Sequence, residues 1–196
     1  MSSRIRALVT LIGLAVLVLI GTPTLAYDAD DLDQLLSSDT CGGCDLTGAD
    51  LAGADLSGKS LHGPDFSDAN LRGANLTGTH LHPATFENAD LTGATLDGAT
   101  LSHESINLNL TGIILENASL RETNLSRSVM RGANLRGADL TGANLSNVNL
   151  RGADLTGANL TDASLENAAL ISVETEGAIF CRTIMPDGSR NDDGCP

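Results

Sequence analysis

Aromatic side chains are nearly absent from this chain, which has no Trp, one Tyr and three Phe in 196 residues. Large aromatics supply much of the burial in a compact core, so any core here is built from Leu and Ala. Basic residues are also scarce, 11 Lys and Arg against 25 Asp and Glu, for a formal charge of −14. Such a chain does not hold nucleic acid through its phosphates; its acidity favours solubility or a basic partner. No nucleophile–base pair, phosphate-binding Gly loop or calcium-repeat pattern is present, so neither an enzyme nor a cofactor is expected. Gly is abundant, at 21 residues, as are Asn, Asp and Thr, the residues of turns. Hydrophobics still reach 41%, too many for a disordered chain. Turn formers combined with small apolar residues point to a repeat architecture.

The first 26 residues stand apart. Arg4 and Arg6 precede an apolar run from Ala7 to Ile20, and Thr24-Leu25-Ala26 offers small residues at the −3 and −1 positions. This order predicts a secretory signal peptide, residues 1–26, cleaved after Ala26. A retained anchor is the competing reading, but the run is short for a spanning helix of ~20 residues. No membrane contact is expected after cleavage. Loss of Arg4 and Arg6 leaves 9 bases against 25 acids. The charge is uneven: residues 27–106 carry 14 acids and 2 bases, and residues 107–196 carry 11 and 7.

From Leu46 a large aliphatic or Phe recurs every five residues, through Leu51, Leu56, Leu61, Phe66, Leu71 and onward to Leu101 and Ile106. The register slips by one, resumes at Leu110 and runs to Leu170, is broken at Thr175, and closes at Phe180. Two residues before each centre sits a small residue, usually Ala, and two residues after it Gly is common. Residues five apart on an α-helix are rotated by ~140°, so no stripe forms. A strand alternates with period two. Period five fits if each pentad is one side of a square coil with a turn at every corner. Four pentads then close a coil of about 20 residues, and coils stack ~4.8 Å apart. The centre and the residue two before it point inward.

The motif in Ala49-Asp50-Leu51-Ala52-Gly53 and Ala138-Asp139-Leu140-Thr141-Gly142 resembles the pentapeptide-repeat family over residues 41–180. The resemblance implies an all-β fold, a right-handed quadrilateral β-helix, here of about 7 coils. Residues 27–40 are expected to cap the first coil, with a short amphipathic helix over 28–38 carrying Leu32, Leu35 and Leu36. Residues 181–196, with Pro186-Asp187-Gly188, are expected to plug the other end.

Breaks in the pattern mark candidate sites. Lys59, Pro64 and Glu104 occupy inward positions, where an unpaired charge is costly, so these pentads are expected to bulge or turn the side chain out. An irregular corner or wider coil is expected around 102–114. Cys41-Gly42-Gly43-Cys44 has redox or zinc spacing, but no αβ context supports redox chemistry and no second pair lies nearby for zinc. Structural disulfides Cys41–Cys44 and Cys181–Cys195, one at each end, fit an oxidising compartment. His62, His80, His82 and His103 fall on one outer side of a 20-residue coil. They are candidate ligands for Zn²⁺ or Cu²⁺, set against a plain solvated face. Arg131 and Arg151 stack one coil apart near Arg121, Arg127 and Arg136. They form either a docking patch or pairs with Glu116, Glu122 and Asp154.

Three functions follow. An exported scaffold or interaction module with an unknown protein partner, itself a monomer, is favoured. Some members of the family resemble B-form DNA and bind DNA gyrase, a reading that suits the acidity but not the signal peptide. A metal-binding His face is the third. The exported, Cys-bearing form resembles periplasmic and thylakoid-lumen members, so one of those compartments is expected.

Overall fold

The computed structural model of the protein describes residues 27–81, 83–101 and 108–196. The expected signal peptide lies outside the described residues, as do His82, His103, Glu104 and Ile106.

The pentad Ala138–Gly142 shows why this five-residue motif folds as it does. The Leu140 N–H donates to Asn159 C=O of the next coil at 2.7 Å, and Gly142 N–H to Thr161 C=O at 2.8 Å. Asp139 N–H reaches back to Ala118 C=O at 2.9 Å, Ala138 N–H closes the preceding corner on Leu135 C=O at 3.1 Å, and Ala143 N–H of the next pentad closes the following one on Leu140 C=O at 3.0 Å. The remaining donor, Thr141 N–H, goes to the Asp139 side chain at 3.0 Å. Every backbone donor of the pentad is therefore matched, as a backbone folded away from water requires. Asp or Asn precedes the centre because only a short acceptor side chain satisfies the N–H two residues on. Pro64 is tolerated at its inward position because the N–H it lacks makes only a corner bond elsewhere in the stack. It is buried rather than bulged, while Pro64 C=O still receives Thr85 N–H at 3.0 Å.

Apart from the corner after Leu81, where Pro83 stands, the described corners place one residue at positive φ, two after the centre, most with an i→i+3 bond across it. This is the arrangement of a type II turn, which favours Gly. Gly142 (φ 68) is typical, but Glu122 (φ 56), Arg127 (φ 62), Ser172 (φ 56) and Arg182 (φ 58) occupy the same station. Of the turn formers expected at the corners, Gly, Asn and Asp take the positive-φ station, while Thr takes the turn position before it, as at Thr47, Thr92 and Thr141.

Stacking is parallel and in register, in four columns that define four sides. The first side runs Thr40, Ser60, His80, Thr100, Asn124, Asn144, Ser164, Ile184. The second runs Asp45, Asp65, Thr85, Asn109, Val129, Asn149, Ala169. The third starts at Asp50 and ends at Glu174, and the fourth starts at Asp55 and ends at Ile179. The first side includes strands β1 (Thr40–Gly42), β2 (Ser60–His62) and β3 (His80–Leu81). Partners are 20 residues apart except across one coil. There Thr85 meets Asn109, Asp90 meets Ile114, Thr95 meets Ser119 and Thr100 meets Asn124. One coil is thus wider by four residues, and the added length falls between Leu101 and Leu108. Within the expected irregular stretch 102–114, the described Leu108 and Ile113 are buried in the inward station.

The core is a ladder of Leu over Leu flanked by Ala, and Phe66 stacks on Phe86 with ring centroids 4.9 Å apart. Thr79, Thr123, Ser128 and Thr183 are buried with their hydroxyls bonded to backbone carbonyls. No described buried side-chain N or O lacks a partner.

Both ends of the stack carry distinct structures. Helix α1 (Ala29–Ser37) is N-capped by the Asp28 carboxylate, which accepts from Asp30 N–H at 2.8 Å. Leu35 is fully buried, whereas Leu36 is 43% exposed, so the apolar stripe is narrower than its sequence predicts. Asp31 caps the open edge of the first coil, accepting Asp45 N–H at 2.8 Å. Lys59 does not turn out to solvent. Its side chain is 11% exposed; the ammonium donates to Ser38 C=O at the end of α1 and lies 3.9 Å from the Asp39 carboxylate. Burial is tolerated because the charge is paired and hydrogen-bonded. Lys59→Ala should therefore cost about 1–3 kcal/mol, read as a lower urea midpoint with faster amide exchange in α1. At the other end, β4 (Thr183–Ile184) pairs antiparallel with β5 (Arg190–Asn191). Asp193 C=O accepts Phe180 N–H at 2.9 Å. This hairpin covers part of the last coil; Ile171 stays 54% exposed and Thr175 is exposed.

Candidate functional site

With the centre and the residue two before it turned inward, three stations of each pentad face outward: one before, one after and two after the centre. On the first side, His62 lies over Gly42, whereas His80 lies between Ser60 and Thr100. Both are exposed but occupy different stations. His82 and His103 lie outside the described residues, so half of the expected histidine face falls outside them. Among the described residues no group of three or more His, Cys, Asp or Glu gathers in a geometry to hold a metal ion.

The cysteines are bonded in pairs at the two ends. Cys41 and Cys44 have Cα atoms 5.9 Å apart, and both are buried beneath α1. Cys181 and Cys195, Cα atoms 4.7 Å apart, tie the C-terminal hairpin to the last coil.

Charge on the outer surface follows a rule missed in the sequence. An Arg one after a centre reaches the Asp one before the centre of the next coil, on the same side and 18 residues later. Arg72 meets Asp90 at 3.0 Å, Arg121 meets Asp139 at 3.1 Å, and Arg136 meets Asp154 at 3.0 Å. The spacing is visible in the sequence once coils of 20 are drawn, and it is the signal that would have found these pairs. The expected acceptors were Glu116, Glu122 and Asp154. Asp154 does take Arg136, whereas Glu116 accepts instead from the Asn134 amide at 3.4 Å. Arg131 and Arg151 have no ion pair among the described residues; the matching stations 18 residues on are Asn149 and Ala169.

The same bonds tune the carboxylates. Asp154 is held below the usual carboxylate range, first by the Thr156 hydroxyl, then, over an opposing effect of burial, by Thr156 N–H and Arg136. Asp162 is lowered by Arg182, which grips it through both Nε and Nη2. Asp45, Asp55 and Asp187 are lowered by the hydroxyl and N–H of the residue two on. A carboxyl with a depressed folded pKa contributes stability that is complete above its unfolded value near ~3.9 and is lost as pH falls through the lower folded value. The urea midpoint should therefore hold from about pH 7 to about pH 5 and fall below about pH 4. Asp154→Asn should make that fall shallower. A midpoint that rises on acidification contradicts this.

An unbranched stack of parallel rungs, with a uniform apolar ladder inside and variable polar stations outside, defines a β-solenoid. The model of the pentapeptide repeats family matches in 8 copies over residues 44–82, 65–102, 109–147, 138–173 and 149–185. The chain belongs to the pentapeptide-repeat family, whose members form right-handed quadrilateral β-helices and are generally interaction modules without enzymatic activity. Among solved structures it is similar to HetL, a pentapeptide repeat protein involved in heterocyst differentiation regulation in the cyanobacterium Nostoc sp. strain PCC 7120. The identity is 33%, over 78% of this chain and 81% of HetL, with a TM-score of 0.31. A pentapeptide repeat protein from the Arabidopsis thaliana thylakoid lumen is 31% identical over 68% of this chain and 73% of its own, with a TM-score of 0.24. QnrB1, a plasmid-mediated fluoroquinolone resistance protein, is 25% identical over 71% and 81%, with a TM-score of 0.45. No curated protein matches the chain at a significant level.

Proposed function

We propose that this protein is an exported, non-enzymatic interaction scaffold: a rod of about seven coils whose outer sides dock a protein partner. The carrying observation is the division of labour within the pentad. Backbone and core are satisfied by two inward stations and one carboxylate or amide, leaving the rest of the outward chemistry free to vary at little cost to the fold. Residues 1–26 act as the leader, 27–40 as the N-terminal cap, 41–180 as the solenoid and 181–196 as the disulfide-tied C-terminal cap. Export is supported by the apolar leader with its small-residue cleavage site and by disulfides at both ends, which persist in oxidising compartments. Similarity to a thylakoid-lumen protein supports that lumen, or a periplasm, as the compartment. No helix among the described residues is long and apolar enough to cross a membrane.

The test is cross-linking in the native envelope fraction followed by mass spectrometry. One reproducible protein partner is expected, lost when the outward stations of one side are changed. Recovery of the chain in the cytoplasm, cross-linked to DNA gyrase, would overturn the export reading in favour of DNA mimicry.

A further inference from the structure

The second side of the rod changes sign along its length. Near the N-terminus its outward stations carry Asp45, Asp65, Asp68 and Glu87; towards the C-terminus they carry Arg131 and Arg151. None of these six takes part in an ion pair among the described residues. On the third and fourth sides the Arg at the equivalent station is neutralised within the chain by the Asp 18 residues on. On the second side that Asp is replaced by Asn149 and Ala169, so both guanidinium groups are left open to solvent.

We infer that the second side pairs with the second side of another copy of this chain, antiparallel, about a two-fold axis through the Asn109 rung. The rung order Asp45, Asp65, Thr85, Asn109, Val129, Asn149, Ala169 places Asn109 at the middle. A two-fold axis there brings the Thr85 rung opposite Val129 and the Asp65 rung opposite Asn149, as an isologous interface requires. An axis across the rod preserves lateral position on the side. Glu87 and Arg131, each one residue after its centre, therefore face each other across the interface. Arg151 meets Asp65 and Asp68, the reach that Arg72, Arg121 and Arg136 already make towards Asp. Each contact occurs twice by symmetry. Among the described residues the other three sides carry no comparable reversal. A single narrow side is smaller than a standard interface of ~800 Å² per partner, so the dimer is weak and driven by charge. This departs from the monomer expected from the sequence, and it does not depend on export.

The test is sedimentation equilibrium of the purified chain against ionic strength. Dimer is expected at about 100 µM protein in about 20 mM salt, dissociating towards about 500 mM as screening shortens the reach of the charges. R131E/R151E and, separately, E87R should each raise the dimer Kd at least about tenfold. E87R combined with R131E in one chain should restore association, because both members of the facing pair are exchanged. All these positions are exposed, and urea midpoints check that each variant is folded. A wild-type chain that stays monomeric at about 500 µM in about 20 mM salt overturns the inference. So does a dimer whose Kd is unmoved by R131E/R151E, or one not rescued by the charge exchange.

Discussion

Leu140→Ala is expected to lower stability by about 2–5 kcal/mol, one of the two largest effects anticipated for a single site or bond. Leu140 is fully buried at the middle of the stack, and its own N–H and C=O join it to the next coil and to its corner. A solenoid side is short and straight, so neighbouring Leu rungs cannot move in to fill the cavity without breaking the in-register bridges above and below. Truncation at the adjacent outward station, Thr141→Ala, removes the part-buried hydroxyl bond to Asp139 and the one accepted from the Asn159 amide, and should cost about 1 kcal/mol. Chemical denaturation of the two variants side by side checks this. Equal losses would mean that the inward and outward stations are not distinguished as described.

Removing the Cys181–Cys195 bond by Cys181→Ala with Cys195→Ala should cost about 3 kcal/mol, the loop-closure value for a loop of about 15 residues. The bond spans 14 residues and anchors a hairpin otherwise held by the β4–β5 pairing, Phe180 N–H to Asp193 and Arg182 N–H to Asp192. Its loss should expose Phe180 and Ile179 at the open end of the ladder, where unpaired edges template association. Reduced stability together with faster protease nicking within residues 185–196 is the expected result. The same substitution in the Cys41–Cys44 pair closes a much shorter loop and should have a smaller effect, the cap being held also by Lys59 and Asp31.

How much of this could be read from the sequence depends on the station. The inward residues were legible because period five admits one packing solution, and Leu46 through Leu165 fill it with few exceptions. The Asp or Asn before each centre was visible as a motif, but its task, satisfying the N–H two residues on, needed the hydrogen bonds. Corners held by Glu122, Arg127, Ser172 and Arg182 were not foreseeable. Their positive φ is imposed by the stack, which overrides local preference. The slip after Leu101 was seen as one residue in the pentad series. In the fold it is a coil longer by four, since one extra pentad enters and one residue is lost. Lys59 was misread because its partners, Ser38 and Asp39, lie 21 and 20 residues earlier and meet it only through the first turn of the coil.

Two inward stations in five, helped by the carboxylate or amide before the centre, build the rod, and the remaining outward chemistry is left for recognition. The most direct test is saturation mutagenesis across one complete coil, Met130 to Asn149, read as protease-resistant folded protein. The predicted result is intolerance at Met130, Ala133, Leu135, Ala138, Leu140, Ala143, Leu145 and Val148, a partial penalty at the positive-φ corners, and tolerance at Arg131, Arg136, Thr141 and Ser146. Intolerance recurring every second residue, or at helical spacing, would contradict the four-sided coil and with it the assignment of function to the outer sides.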